Sequence, residues 1–249
     1  MLVGILTSDQ TRHKALASYI RHMGFDVFLV QETSKVHDYE EEIAKYFIDV
    51  KKVEDSLFSG DKWNTEIENT ISLDKGYINK VPSEMSQLFE CDVIVVFGSS
   101  LIKGELFQKL KTKKVINLHM GISPEYLGSA CNFWAMYDDN LQYVGGTIQT
   151  LSEKVDSGEI LKYSYPKDTI KGFNPIFFAM DAVKSTIMDT VDVLRNLDSY
   201  LNKSITQNPN RLIRHSKISD FNVEAINNFY LKKFNLENLK FRTHLNGEK

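Results

Sequence analysis

The chain has 249 residues, with 30 Lys and Arg against 33 Asp and Glu, and carries a formal net charge of −3. Hydrophobic residues make up 42% and charged residues 25%, which is typical of a folded domain and excludes disorder, collagen-like repeats and coiled coils as descriptions of the whole chain. No apolar run approaches the roughly 18 residues of a membrane span, and the first residues do not resemble a secretory signal. The two cysteines form no paired motif. We therefore predict a cytoplasmic protein without membrane contact.

Short apolar runs alternate with helical patterns along the chain. The first run leads into Thr7-Ser8-Asp9, which is typical of a strand followed by a capped helix, and the helical spacing after it stops at Gly24. The pattern predicts strands at residues 2–6, 25–30, 92–97, 114–118, 144–151 and 160–165. It predicts helices at residues 15–23, 38–53, 104–110 and 175–197, with loops and one irregular helix over 54–80.

This alternation predicts an α/β fold with a Rossmann-like, mostly parallel sheet flanked by helices and a short C-terminal appendage, because parallel strands need crossover connections. We assign residues 1–198 to the main domain and 199–249 to an extension that packs on that domain or at a homodimer contact. Residues 200–249 carry nine Lys and Arg against four Asp and Glu. A basic segment is compatible with a nucleic-acid partner, but a solvated surface explains it more simply, and we expect no nucleic-acid binding.

Three polar residues fall where predicted strands end. Asn117 and His119 lie two residues apart on one extended segment, and Asp156 lies in a turn between two later strands. Ligands of open α/β sheets bind beyond the carboxyl ends of the strands, so an amide, an imidazole and a carboxylate could converge there on an oxyanion and a proton. Each is also a common capping residue, so spacing alone leaves both readings open. The remaining histidines are scattered and predict no metal site.

Two further features could contact a ligand. Arg12 and His13 begin the first predicted helix, whose unpaired N–H groups suit a phosphate, although a capped surface turn explains them equally well. No Gly-x-Gly-x-x-Gly follows the first strand, which argues against a dinucleotide fingerprint. Trp134 could stack on a sugar or a base, and packing in the core is the alternative.

A series of motifs follows in order through the middle of the chain. They are Asn117-Leu-His119, Ser123-Pro124-Glu-Tyr126-Leu-Gly128, Asn132-Phe-Trp134-Ala, Gly145-Gly-Thr147-Ile and Val155-Asp156-Ser-Gly158-Glu-Ile-Leu161. Together they resemble the folate-dependent formyltransferase family, which includes glycinamide ribonucleotide, methionyl-tRNA and nucleotide-sugar formyltransferases. The resemblance covers residues 92–165 well, and several ordered motifs are far more specific than a lone short one.

The chain departs from the family pattern in one loop. Many relatives carry a proline directly after the histidine and an arginine between the tyrosine and the glycine, where this chain has Met120 and Leu127. We expect Gly121 to loosen this loop, and the missing guanidinium removes a fixed anion contact. About fifty residues follow the last predicted helix, too few for the C-terminal β-barrel of the methionyl-tRNA branch. The chain therefore resembles most the enzymes that formylate amino-sugars on nucleotide carriers.

The resemblance implies a reaction and its partners. N10-formyltetrahydrofolate would be the formyl donor, without a metal, and residues 1–198 would be the catalytic domain. The acceptor would be a primary amine of a small substrate, best matched by a nucleotide-linked amino-deoxysugar used in glycan biosynthesis. The alternatives are a formyltetrahydrofolate hydrolase, a formyltransferase acting on a purine-pathway ribonucleotide amine, and a catalytically silent folate- or nucleotide-binding module.

The resemblance also implies residue roles. Asn117 would donate a hydrogen bond to the oxyanion, His119 would pass a proton to the leaving folate nitrogen, and Asp156 would raise the pKa of His119 and relay the amine proton. The residues expected to bind the folate are Phe97, Gly98, Ser99, Ile102 and Val155. The residues expected to contact the acceptor are Arg12, His13, Tyr126 and Trp134.

Overall fold

The computed structural model describes residues 1–34, 39–167, 173–236 and 239. Within these residues the strands are β1 (Leu2–Ser8), β2 (Asp26–Thr33), β3 (Thr70–Asp74), β4 (Val93–Phe97), β5 (Val115–His119), β6 (Tyr126–Gly128), β7 (Gly146–Thr150), β8 (Ile160–Ser164) and β9 (Arg214–Ser216). The helices are α1 (Thr11–His22), α2 (Glu41–Leu57), α3 (Gly104–Leu110), α4 (Cys131–Tyr137), α5 (Pro175–Arg195), α6 (Leu197–Asn202) and α7 (Val223–Leu231). None of the helices in these ranges is long and apolar enough to cross a membrane.

The strands form a seven-stranded sheet in the order β3-β2-β1-β4-β5-β7-β8, and β6 pairs with β9 separately. β1 runs parallel to β2 and to β4, and the pairs β2–β3 and β4–β5 are also parallel. A parallel strand with both faces covered reads as a continuous apolar run, which is why Val93–Phe97 is buried at every position. The predicted α/β fold with a mostly parallel sheet flanked by helices is confirmed.

The main error in the predicted elements lies between residues 54 and 80. We expected loops and one irregular helix there, but Thr70–Asp74 forms β3 at the edge of the sheet. Only Ile71 and Leu73 of this strand are half-buried, so its alternating pattern is short and weak. The helix predicted over 38–53 corresponds to α2, which continues to Leu57, while residue 38 lies outside the described residues.

The chain folds into two compact units, each built from three stretches of sequence. Unit 1 comprises residues 1–36, 58–118 and 149–158, and unit 2 comprises 37–57, 119–148 and 159–249. The core of unit 1 is aliphatic and includes Leu6, Ile94 and Leu106, each fully buried. The predicted division of the chain at residue 198 stays a prediction, since these units are interleaved along the sequence.

The core of unit 2 is rich in aromatic rings and draws on the C-terminal extension. Phe133 of α4 and Phe229 of α7 stack with their ring centroids 4.8 Å apart, and Tyr46 of α2 meets both rings edge to face. Phe229 is only 1% exposed. The extension therefore supplies part of the hydrophobic core of unit 2.

Candidate functional site

An amide and a carboxylate meet in unit 1. Asn117 lies on β5, opposite Val96 of β4, and is half-buried. Its Nδ2 donates a hydrogen bond to Oδ1 of Asp156 over 3.4 Å. The structure therefore brings together two of the three residues predicted to be catalytic.

The turn that carries Asp156 is fixed by its own backbone. Asp156 adopts a φ of +53°, in the left-handed region. The backbone N–H and the hydroxyl of Ser157 both donate to the carbonyl of Lys154, over 3.3 and 2.9 Å. A Cβ on Gly158 would lie 1.8 Å from the carbonyl oxygen of Thr150, so only glycine permits this approach. The Asp-Ser-Gly sequence thus sets the position from which the carboxylate faces Asn117.

His119, the last residue of β5, is held in unit 2 by a backbone carbonyl. Its side chain is buried, and its Nε2 lies 2.9 Å from the carbonyl oxygen of Tyr126. Because a carbonyl oxygen can only accept, Nε2 carries a hydrogen in this arrangement. A Cβ on Gly121 would lie 2.7 Å from this Nε2, so the absence of a side chain at 121 makes room for the imidazole.

The loop between His119 and β6 is rigidly attached, which corrects the expectation that Gly121 loosens it. Residues 121–126 are all buried. The Thr147 hydroxyl donates to the carbonyl of Gly121 over 2.7 Å and accepts from the backbone N–H of Ser123 over 2.9 Å. The Tyr163 hydroxyl donates to the carbonyl of Ser123 over 2.5 Å. The loop is therefore fixed by side chains distant in sequence.

His13 is packed against the end of β4 in unit 1. Its ring meets Phe97 edge to face with centroids 4.5 Å apart, and its Nδ1 lies 2.5 Å from the hydroxyl of Ser8. Gly98 has a φ of +67°, and a Cβ there would lie 2.3 Å from the same ring. Burial, followed by the charge of Arg12, holds the pKa of His13 well below its ordinary value. His13 is thus buried, whereas Arg12 is half-buried in the first turn of α1, and the predicted substrate contact of both residues stays a prediction.

The loop after β4, which carries the other residues predicted to bind folate, is held by two side chains that the sequence analysis missed. The buried carboxylate of Glu32 accepts from the backbone N–H groups of Ser100 and Gly76, each over 2.5 Å. Asn79 accepts from the N–H of Lys103 and donates to the carbonyl of Leu101, each over 2.9 Å. Within this loop Ser99 and Ile102 are half-buried. Elsewhere in unit 1, Val155 is 53% exposed beside Asp156.

The two aromatic residues predicted to contact the acceptor lie in the interior of unit 2. Tyr126 is 1% exposed and Trp134 is 3% exposed. The Tyr126 hydroxyl accepts from Asn140 Nδ2 over 2.8 Å and donates to Asp138 Oδ2 over 3.2 Å. This burial matches the packing alternative considered for Trp134, and contact of either residue with the acceptor stays a prediction.

Among the residues that the structure describes, no group of three or more His, Cys, Asp or Glu side chains is arranged to hold a metal ion. The supporting residues Glu32, Asn79 and Asp138 carry no local sequence signal. Glu32 lies two residues past the predicted strand 25–30 and could have been suspected only as a buried acid. The partners of Glu32 and Asn79 lie far away along the chain.

Comparison with known sequences finds similarity to one family over part of the chain. The sequence model of the family described as Formyl transferase matches residues 71–167. Methionyl-tRNA formyltransferase of Ehrlichia chaffeensis (strain ATCC CRL-10679 / Arkansas) is 28% identical over 165 residues, which cover 65% of this chain and 51% of that protein. The chain thus spans about half the length of this curated relative.

Solved structures share the fold at low sequence identity. Phosphoribosylglycinamide formyltransferase from Anaplasma phagocytophilum is 15% identical, with a TM-score of 0.54 over 80% of this chain and 86% of that one. The formyltransferase PseJ from Anoxybacillus kamchatkensis, solved with UDP-4,6-dideoxy-4-formamido-L-AltNAc and tetrahydrofolate, is 14% identical, with a TM-score of 0.52 over 88% of this chain and 87% of that one. At these identities the likeness concerns the fold alone.

Proposed function

We propose that the chain is a formyltransferase that transfers a formyl group from N10-formyltetrahydrofolate to a primary amine, on the basis of its similarity to the formyl transferase family over residues 71–167 and to a methionyl-tRNA formyltransferase. The observation that carries this proposal is the Asn117–Asp156 pair, in which an amide and a carboxylate from separate segments meet at the end of a parallel strand. This is the edge of an α/β sheet where ligands bind. Formyl transfer needs both a donor to an oxyanion and an acceptor for a proton, and this pair supplies them.

The location of the predicted folate-binding residues supports the same proposal. Phe97, Gly98, Ser99, Ile102 and Val155 all belong to unit 1, as do Asn117 and Asp156. Phe97 ends β4, and β4 pairs directly with β5, which carries Asn117. The loop after β4 presents backbone groups and small side chains, which suit the hydrogen-bonding edge of a pterin. N10-formyltetrahydrofolate would supply the formyl group when bound there.

Each of the three polar residues has a role set by its own chemistry. Asn117 has two N–H donors on Nδ2, so it can hold Asp156 with one and stabilise a developing oxyanion with the other. Asp156 would accept the proton that the attacking amine loses. His119, with Nε2 bound to a carbonyl, would take up at Nδ1 the proton relayed from the amine and pass it to the departing nitrogen. General acid–base assistance of this kind contributes about 10²–10⁴-fold to the rate.

The acceptor we infer is an amino group on a nucleotide-linked deoxysugar. Its support is the altered loop at residues 120–127 and the fold shared with PseJ, whose structure holds a UDP-linked formamido sugar and tetrahydrofolate. An uncharged amine is required, because only a lone pair can attack the formyl carbon. A cytoplasmic location and a homodimer remain part of this proposal.

A glycinamide-type acceptor is the second candidate. The observation that favours it is the Anaplasma phagocytophilum relative, which shares the fold over 86% of its own length and bears the name of that activity. Hydrolysis of the formyl donor by water would use the same groups without an amine.

The experiment is an incubation of the protein with N10-formyltetrahydrofolate and separate acceptors, followed by mass spectrometry. The acceptors are a set of UDP- and dTDP-linked amino-deoxysugars, glycinamide ribonucleotide, and none. We expect a formyl group to be added to an amino-sugar nucleotide and the Asn117→Ala variant to add almost none. Formyl addition to glycinamide ribonucleotide alone would replace the acceptor we infer, and formate released without any acceptor would indicate a hydrolase. Unchanged donor in every reaction would reject formyl transfer.

A further inference from the structure

The C-terminal extension forms a two-stranded sheet with the segment that binds His119. β9 pairs with β6 in parallel, with Tyr126 opposite Arg214 and Gly128 opposite Ser216. The backbone N–H of Arg214 also donates to the carbonyl of Glu125 over 3.0 Å. The carbonyl that accepts from His119 is that of Tyr126, the first residue of β6. The extension therefore pairs with the very residue whose carbonyl orients the imidazole.

The backbones of β6 and β9 approach so closely that position 128 has no room for a side chain. A Cβ on Gly128 would lie 2.0 Å from the carbonyl oxygen of Ser216. The Ser216 hydroxyl, in a buried side chain, donates to the carbonyl of Ser129 over 2.5 Å. The pairing of β9 with β6 is consequently a fixed contact and not a loosely attached edge.

Side chains reinforce the backbone pairing at Tyr126. The Arg214 guanidinium forms a bidentate ion pair with Asp138, with Nε 2.9 Å from Oδ2 and Nη2 2.7 Å from Oδ1. The same Oδ2 accepts from the Tyr126 hydroxyl. Arg214 also lies over the ring of Trp134, 4.4 Å from its centroid. Arg214, Asp138 and Tyr126 thus form one connected network.

The network is partly shielded from water, so it holds its geometry more firmly than a fully exposed ion pair would. The Arg214 side chain is 32% exposed and the Asp138 side chain 20%. Burial is the main cause that raises the pKa of Tyr126, so its hydroxyl stays a donor to Asp138 at physiological pH. A planar guanidinium that is both bidentate and stacked on an indole cannot be replaced by lysine without losing one of these contacts.

We propose that Arg214 is a positioning residue, which holds Tyr126 through Asp138 and β9 so that the Tyr126 carbonyl keeps His119 in the form protonated at Nε2. The catalytic meaning of this inference rests on the proposed function. The effect of Arg214 on the tautomer of His119 does not rest on the proposed function, because the tautomer can be measured without any turnover.

The competing explanation is that Arg214 only stabilises the fold. The extension offers a matched control, because Lys232, just past α7, pairs with Asp139, the neighbour of Asp138, over 2.7 Å. Lys232→Met removes an ion pair between the extension and the same turn without touching the Asp138–Tyr126 contact. If Arg214 only stabilises the fold, substitution of Arg214 and substitution of Lys232 should have similar effects on His119.

The experiment records the ring ¹⁵N chemical shifts of His119 in the full chain labelled at histidine, assigned with a His119→Gln variant. We expect the unsubstituted protein and Lys232→Met to show a neutral ring protonated at Nε2, and Arg214→Met to show a mixture of the two neutral tautomers. Arg214→Lys should shift in the same direction by a smaller amount, and it serves as the test if Arg214→Met does not fold. Unchanged His119 shifts in a folded Arg214 variant would overturn the proposal.

Kinetics then separates positioning from binding. With an accepted amine, Arg214→Lys should lower kcat by about tenfold or more and leave KM for the formyl donor unchanged, since a misplaced catalytic group costs rate. Lys232→Met should keep its kcat. A tautomer shift without any formyl transfer in the unsubstituted protein would refute the proposed function and leave the positioning of His119 standing. A shift accompanied by an unchanged kcat would show that Arg214 does not assist catalysis.

Discussion

Three glycines of this protein lie where a functional side chain or its loop needs the space of a Cβ. The ring of His13 fills that space at Gly98, the imidazole of His119 fills it at Gly121, and a backbone carbonyl fills it at Gly158. Only Gly98 among these three also needs a positive φ. At the scale of single residues, the requirement is therefore close approach more than flexibility.

Asn117 is the residue whose removal should affect chemistry and spare the fold. Its half-buried amide donates to Asp156, and loss of one donor to an oxyanion costs about 2.7–4 kcal/mol of barrier, or roughly 10²–10³ in kcat. Asn117→Ala should show this loss in steady-state kinetics with a nearly unchanged urea midpoint. Asn64→Ala is the control for the loss of an asparagine amide away from the site, because the Asn64 amide donates only to backbone carbonyls of Phe58 and Gly60. A near-normal kcat for Asn117→Ala would remove it from the mechanism.

His13 should make the stability of the protein depend on pH. Its pKa in the fold lies well below the ordinary value of 6.5, so below that pH the unfolded chain binds a proton that the folded chain does not. The free energy of unfolding is therefore fully retained above about pH 6.5 and falls as the pH drops toward the lowered pKa, by roughly 1.4 kcal/mol per unit.

Urea unfolding between pH 5 and pH 8 checks this slope. His13→Asn should flatten the acid side of the stability curve relative to the unsubstituted protein, while substitution of the exposed His22 by Asn should leave it in place. Equal slopes in all three proteins would show that His13 is not the group responsible.

At the scale of elements, α7 is a core helix and not a surface attachment. Its Phe229 is 1% exposed and packs against Phe133, Tyr46 and Phe234, whereas Leu231 on the same helix is 80% exposed. The apolar residues of this segment suggested from sequence either packing on the domain or a dimer contact. Phe229 packs within unit 2 of its own chain.

Phe229→Ala should lower the free energy of unfolding by about 3–5 kcal/mol, because a buried aromatic ring is removed and a cavity remains. Leu231→Ala should change it by no more than about 0.5 kcal/mol, since that side chain is exposed. Chemical denaturation of the two variants provides the comparison, and equal losses would contradict the placement of α7.

At the scale of the whole molecule, prediction succeeded where structure is local. β4 is a continuous apolar run, β1 begins with one, and Pro175 marks the start of α5 as expected. β3 was missed because an edge strand with two half-buried residues has almost no pattern. The pairing of β6 with β9 joins Tyr126 to Arg214, and no rule of local sequence connects residues so far apart.

In the candidate site, too, local features could be predicted from the sequence and long-range contacts could not. The motif around Asn117, His119 and Asp156 was readable, because the spacing and the residue types recur in a family. The residues that hold the loops of the site could not be predicted. Glu32 is an ordinary acid in the sequence, and only the structure shows that two distant backbone N–H groups donate to its carboxylate. Gly121 was misjudged because a glycine's effect was assigned to its own backbone, whereas the structure assigns it to His119 across the loop.

The interleaving of the two units bears on how the protein is made. The chain passes between the units several times, and unit 1 lacks a segment until residue 158 has been synthesised. Unit 2 waits longer, because Phe229 must emerge from the ribosome before its aromatic core can close. A nascent chain therefore starts unit 2 before unit 1 is complete, and the core of unit 2 closes last.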